Sequence, residues 1–142
     1  MSTSNIARPS YAAAALFGRL LLGAIFVWAG LGKLLAATAT IAYFGKLGLP
    51  LPPVAFATAV LVEVGVSVAF IAGFYTRSAA LILAVWSIAT AMVAHTNFAD
   101  HNMEIHFFKN VAMCGGFISA ALLGAGAFSV DALIWPSSAN RT

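Results

Sequence analysis

VAFATAVLVEVGVSVAFIAG, from Val54 to Gly73, decides what kind of protein this is. Its 20 residues match the length an α-helix needs to cross about 30 Å of hydrocarbon at about 1.5 Å per residue. Glu63 is its single charge and falls near its middle. A carboxylate at that depth costs at least ~2.5 kcal/mol on insertion scales, so it is expected to face the protein interior and to have a partner.

The rest of the composition agrees. The 142-residue chain, a single domain by length, is 62% apolar and 8% charged, with a mean hydropathy of +0.98. Soluble domains average about a quarter charged residues, so this chain has too little polar surface for solution and reads as an integral membrane protein whose first partner is the lipid bilayer. A net charge of +3 without a basic run gives no nucleic-acid footprint. Cys114 is the only cysteine, which excludes an internal disulfide and an intramolecular Cys-x-x-Cys pair; in its apolar run it reads as an inert thiol.

Four spans are expected in an all-α bundle, at about 13–36, 54–73, 78–94 and 104–123. Residues 1–12 read as a tail outside the bilayer. A signal peptide ending at Ala37-Thr38-Ala39 is the alternative for the first span, but Arg19 interrupts its apolar run and the run exceeds a signal h-region. Gly23 and Gly30, seven apart, are expected to admit a neighbouring helix, as are Gly115-Gly116; Gly65, Ala69 and Gly73 form a second small-residue face. Residues 37–53 read as a loop at the headgroup level, with Tyr43 and Phe44 at the interface and three prolines in Pro50–Pro53 ending it. An even number of spans puts both termini on one side. Arg8, Arg77 and Arg141, with Arg19 just inside the membrane, assign that side to the cytoplasm.

Depth suggests partners for Glu63. With spans bounded as above, Arg19 lies ~9 Å and Glu63 ~15 Å from the same boundary, while Lys109 enters ~8 Å from the opposite one. One reading is a structural Arg19–Glu63 pair locking the first two spans together. The other is that the surplus positive charge forms part of a site for an anionic or carbonyl-bearing apolar ligand. A further polar cluster gathers at the loop side: Lys33, His95, Asn97, Asp100, His101, Glu104, His106, Lys109 and Asn110. Its histidines lack HExxH or another metal-ligand spacing, so no metal is assigned. No Ser-His-Asp order or phosphate-cradling glycine loop is present, and no catalytic residue is assigned.

Arg19-x-x-x-Gly23, Gly30-x-Gly32-Lys33-Leu34, Glu63 and Gly73-Phe74-Tyr75-Thr76-Arg77 are followed by His95-Thr96-Asn97-Phe98, Phe107-Phe108-Lys109-Asn110, Gly115-Gly116 and Gly124-x-Gly126-x-x-Ser129-x-Asp131. In that order, over roughly residues 13–133, they resemble the DoxX/DoxD-like family of small bacterial inner-membrane proteins. The resemblance implies a four-helix inner-membrane protein associated with an oxidoreductase partner. Branches of the family are linked to a quinone-reducing thiosulfate oxidoreductase and to a thiol-stress complex. The chain lacks the cysteine pairs of similar four-helix thiol oxidoreductases. The expectation is therefore a membrane redox subunit that binds a quinone or quinone-like molecule non-covalently. Arg19, Lys33, His95, Lys109 and Asn110 would supply its polar contacts, and Glu63 would exchange protons. The alternative is a non-enzymatic scaffold or small-molecule carrier whose buried charges are structural.

Overall fold

Four helices long and apolar enough to cross a membrane account for most of the residues described, 9–135, in a computed structural model of the chain. They are α1 (Pro9–Leu35), α3 (Pro52–Ala72), α4 (Thr76–Ala94) and α5 (His101–Leu123). Two shorter helices complete the fold, α2 (Ala37–Lys46) between the first two spans and α6 (Val130–Ile134) after the fourth. No strand occurs among the described residues, and the protein is an all-α, four-helix membrane bundle. Arg8, Pro136 and Arg141 lie outside the described residues.

Several boundaries differ from the sequence reading, three of them for a clear local reason. α1 begins at Pro9, so Pro9–Ala12 belong to the helix; proline suits a first turn, where its missing N–H has no acceptor to lose. Pro52 and Pro53 likewise open α3 instead of only ending the loop before it. α5 starts three residues earlier than Glu104 because Asp100 caps it, its carboxylate accepting the Asn102 amide at 2.9 Å. The supposed loop over 37–53 also contains α2, whose ten residues run to Lys46 before Gly48 turns the chain with a φ of 74°.

Large side chains point outward, as expected where hydrocarbon is the solvent. Trp28 is 81% and Leu35 91% exposed. The interior is built from small residues around an aromatic centre. Phe117 of α5 meets Phe26 of α1 and Phe70 of α3 edge-on, at centroid separations of 5.4 and 5.2 Å. Ala79, Ala80, Leu83 and Ala84 of α4 close that core.

Glycines set how α1 slides along α3. A Cβ on Gly30 would lie 2.6 Å from Val64 Cγ2 and 3.0 Å from Glu63 Cβ, and one on Gly23 would collide with Ile71. The close approach expected at these two positions is present. Gly116 also packs, against Leu22 of α1, whereas Gly115 faces open space and Gly65 touches only Leu61 of its own helix. The small-residue face proposed for Gly65, Ala69 and Gly73 is therefore not a continuous packing face.

At its middle α3 is not α-helical. Leu61–Val66 form a π-helical segment that contains Glu63. Such wide turns lose regular i→i−4 bonding and occur often at functional sites.

Candidate functional site

Two separate charge centres occupy the bundle, one towards each face. The first, towards the face where α1 and α4 begin, is organised by Arg19 of α1. Its guanidinium, on a residue only 2% exposed, donates to the carbonyl oxygens of Ile71, at 3.1 Å, and of Phe128. Nε is buried without a hydrogen-bond partner and the residue borders a small cavity of about 260 Å³ between α1 and α5. Beside it, Asp131 of α6 accepts from the Tyr75 amide (2.8 Å), the Thr76 amide (2.9 Å) and the Thr76 hydroxyl (2.7 Å). A carboxylate there caps the N-terminus of α4, satisfying donors that have no intrahelical acceptor. It also holds Tyr75 in the left-handed region at a φ of 44°, uncommon for a residue with a side chain. The Asp131 amide in turn donates to the Gly73 carbonyl at 2.8 Å. The turn after α3 and the segment after α5 are thus one clamp.

The second centre corrects the pairing expected from depth. Glu63 is not bonded to Arg19. Its Oε2 accepts from Lys33 Nζ at 2.7 Å and its Oε1 from the Trp86 indole Nε1–H at 3.2 Å. Register is the reason: Gly30 sits level with Glu63 and Val64, so Lys33, one turn further along α1, reaches the carboxylate. Arg19 is eleven residues from Gly30 in the other direction, about 16 Å along the helix. The glycine contacts, not the ends of the apolar runs, align the two spans.

Lys33 and Glu63 stand at the wall of a cavity of about 560 Å³ that receives side chains from all four spans and from α2. Its surface is mainly apolar, from residues such as Phe26, Ala29, Val93 and Met113. Tyr43 and Phe44, expected on a loop, lie on the helix α2, from which they line this cavity. Its polar side chains are Lys33, Tyr43, Thr58, Glu63, Trp86, Thr90, His95, Lys109 and Asn110. Five of the six candidate residues from the sequence are brought together here: Lys33, Glu63, His95, Lys109 and Asn110. Arg19 is not among them and belongs to the other centre.

The polar groups are not equally free. Asn110, 6% exposed, uses its carbonyl to accept from Thr90 (3.3 Å) and its amide to donate to the His106 carbonyl (2.8 Å). Its main work is joining α4 to α5. Glu63 has both oxygens engaged. Lys109 Nζ contacts His106 Nδ1 at 2.9 Å, which leaves further ammonium protons unspent. No carboxylate pairs with Lys109 among the described residues. His95, at the end of α4, packs its ring 5.2 Å from that of His106, and its Nδ1 is buried without a hydrogen-bond partner. Burial, and then the nearby His106, Lys109 and Lys33, hold its pKa below the usual histidine value. The imidazole is therefore neutral at pH 7. His101 contacts Glu104 at 3.2 Å on the exposed rim. Among the described residues no three His, Cys, Asp or Glu side chains gather as a metal site.

Trp86 is the residue that sequence reasoning passed over. The available signal was an indole N–H inside an apolar span, which needs an acceptor when buried.

The sequence pattern of the DoxX family matches residues 14–96, more than half of the chain. The chain belongs to the DoxX family. It is similar to the inner membrane protein YqjF of Escherichia coli K12, with 37% identity over 122 residues that cover 84% of this chain and 90% of the relative. It is also similar to the inner membrane protein YphA of the same organism, 33% identical over 121 residues that cover 82% of this chain and 86% of that one. No solved structure matches it significantly. The matched DoxX region contains Lys33, Tyr43, Thr58, Glu63, Trp86, Thr90 and His95, so seven of the cavity's nine polar residues lie within the family pattern.

Proposed function

We propose that this DoxX protein is a membrane subunit of a redox system that binds a quinone or quinone-like aromatic in the large cavity. The observation that carries the reading is the cavity itself: about 560 Å³ of mostly apolar space with hydrogen-bond donors on its wall. That volume falls in the range of small-molecule sites, about 300–1,000 Å³. The donor set suits a carbonyl-bearing ring: Lys33 and Lys109 retain unspent N–H groups, and the buried Nδ1 of His95 lacks a partner. Trp86, Phe26, Tyr43 and Phe44 offer aromatic faces. A bound quinone supplies reversible electron transfer that none of these side chains has. The chain's own part is to hold the ring, exclude water and fix the Lys33–Glu63 pair beside it.

The named relatives favour a bacterial inner-membrane location. The arginine pattern favours cytoplasmic termini, which puts the cavity on the periplasmic side. A second reading, a carrier or scaffold without redox chemistry, draws on the engagement of both Glu63 oxygens by Lys33 and Trp86, the arrangement of a structural pair.

Organic extraction of protein purified from native membranes tests the first reading, with absorbance and mass detection of quinones. A stoichiometric quinone that is lost from an Ala29→Phe variant, whose new ring intrudes on the cavity, supports it. Quinone-free protein that also fails to quench on titration with a short-chain quinone refutes it. Reporter fusions at Ala139 and within 96–102 are expected to report opposite compartments, with cytoplasm at Ala139.

A further inference from the structure

Charge at the cavity does not balance. Two ammonium groups, Lys33 and Lys109, line it against one carboxylate, Glu63. Glu63 is committed to Lys33 at 2.7 Å and has its other oxygen taken by Trp86. The hydrogen-bond contact of Lys109 is His106 Nδ1, and an imidazole supplies no negative charge to it. His95, whose ring lies 5.2 Å from that of His106, supplies none either. Within apolar walls a cation without a countercharge is costly, and a ligand carrying one negative charge removes that cost.

On the reading that the cavity holds a quinone-like aromatic, we propose that it takes its ligand as an oxyanion. The ligand is then a hydroxyquinone or phenolic ring in its deprotonated form, with the charged oxygen at Lys109 and the ring among the aromatic walls. Lys109 is the specificity-determining residue. The Lys33–Glu63 pair fixes the opposing wall and contributes no net charge. A neutral aromatic of the same shape fits the space but leaves the ammonium group unpaired.

The ring, and not the charge alone, is part of the claim. Phe26, Tyr43, Phe44 and Trp86 approach the space from two spans and α2, a lining suited to a flat aromatic. A fatty-acid carboxylate carries the same charge on a flexible chain, so it is the competitor that tests this half.

The experiment uses full-length protein in detergent carrying Trp28→Phe and Trp135→Phe, so that Trp86 is the sole tryptophan and is excited selectively. It is titrated at pH 7.5 with 2-hydroxy-1,4-naphthoquinone, which is ionised, and with its neutral 2-methoxy analogue. The hydroxy compound is expected to bind at least tenfold tighter. Lys109→Gln is expected to abolish that preference, bringing the hydroxy compound to within about twofold of the methoxy compound, and an unchanged helical circular dichroism spectrum reports that the variant is folded. Lys109→Arg is expected to retain the preference. Equal affinity for the two compounds overturns the oxyanion assignment while leaving the aromatic site intact. Quenching by neither compound overturns the site itself, as does quenching unaffected by Ala29→Phe. Decanoate displacing the ionised naphthoquinone at equal or lower concentration overturns the aromatic half of the claim.

Discussion

The Arg19–Asp131 centre and the Lys33–Glu63 centre are built from the same kinds of groups, yet they use them in opposite ways. At the first, charged side chains serve the backbone: Arg19 meets two carbonyl oxygens, and Asp131 meets two amides and a hydroxyl. Those bonds tie the end of α3, the start of α4 and the segment after α5 into one clamp. At the second, charged side chains meet each other and Trp86, and unspent donors remain beside a large cavity. Satisfying backbone groups makes a charge structural, while leaving donors free beside empty apolar space makes it available to a ligand. An intramembrane charge is not diagnostic of function until its partners are known.

Four experiments test this contrast. The largest effect is expected from Glu63→Leu, which leaves Lys33 inside the bundle without its partner. Removing one member of a buried pair typically costs ~3–5 kcal/mol, so the detergent melting temperature is expected to fall sharply. Lys33→Leu combined with Glu63→Leu is expected to recover most of it, because replacing a whole pair by apolar residues is often neutral and only the Trp86 indole N–H loses its acceptor. Arg19→Leu combined with Glu63→Leu is expected not to recover it, and recovery there would restore the pairing that depth alone suggested.

Asp131→Ala comes next. It removes charge-assisted bonds to the N-terminus of α4, each worth ~1.5–3 kcal/mol, with Asp131 only half-buried. Thermal stability is expected to drop while affinity for cavity probes stays within twofold. A large change in affinity at unchanged stability would erase the distinction between the two centres.

Smaller is the effect of pH through His95. Its folded pKa lies below the unfolded value, so the unfolded chain takes up the proton first as pH falls below about 6.5. His95 therefore costs nothing above that pH and destabilises the fold progressively below it. His95→Gln is expected to flatten the loss of melting temperature between pH 7 and pH 5. An unchanged slope would place the titration at another group. The smallest effect is expected from Cys114→Ser, since Cys114 is not among the cavity-lining residues. Probe affinity is expected to change less than tenfold, ~1.4 kcal/mol, and a larger loss would bring thiol chemistry back into consideration.

Much of this was legible in the sequence. The spans follow from apolar runs of bilayer length, and Glu63 announces itself by its depth. The loop-side polar residues Lys33, His95, Lys109 and Asn110 converge because antiparallel spans return them to one face. What the sequence hid was register. Two helices of different length can slide by several residues without exposing a polar group, and only the contacts of Gly23 with Ile71 and of Gly30 with Val64 fix their offset. Both halves of the clamp were visible as motifs, around Gly73–Arg77 and Gly124–Asp131, but nothing in their spacing showed that they touch. α2 was obscured by the glycine and prolines that follow it, which pull a whole segment towards a loop reading.

The wide turn at Leu61–Val66 has a consequence for length variation in α3. A π-helical segment holds one residue more than the α-helix it replaces, so it acts as a phase shifter between the two halves of the span. Deleting a single residue there would let the segment close to a regular α-helix and keep the two halves in phase. A deletion elsewhere in α3 would shorten the span by about 1.5 Å and rotate one half by about 100° against the other. In that second case either Glu63 would swing away from Lys33 and Trp86, or Ser67 and Phe70 would turn out of the core. Single-residue deletions in α3 outside Leu61–Val66 therefore uncouple the large cavity from the clamp at the far end of the same helix, while the wide turn is the one place where the span can lose a residue and keep both.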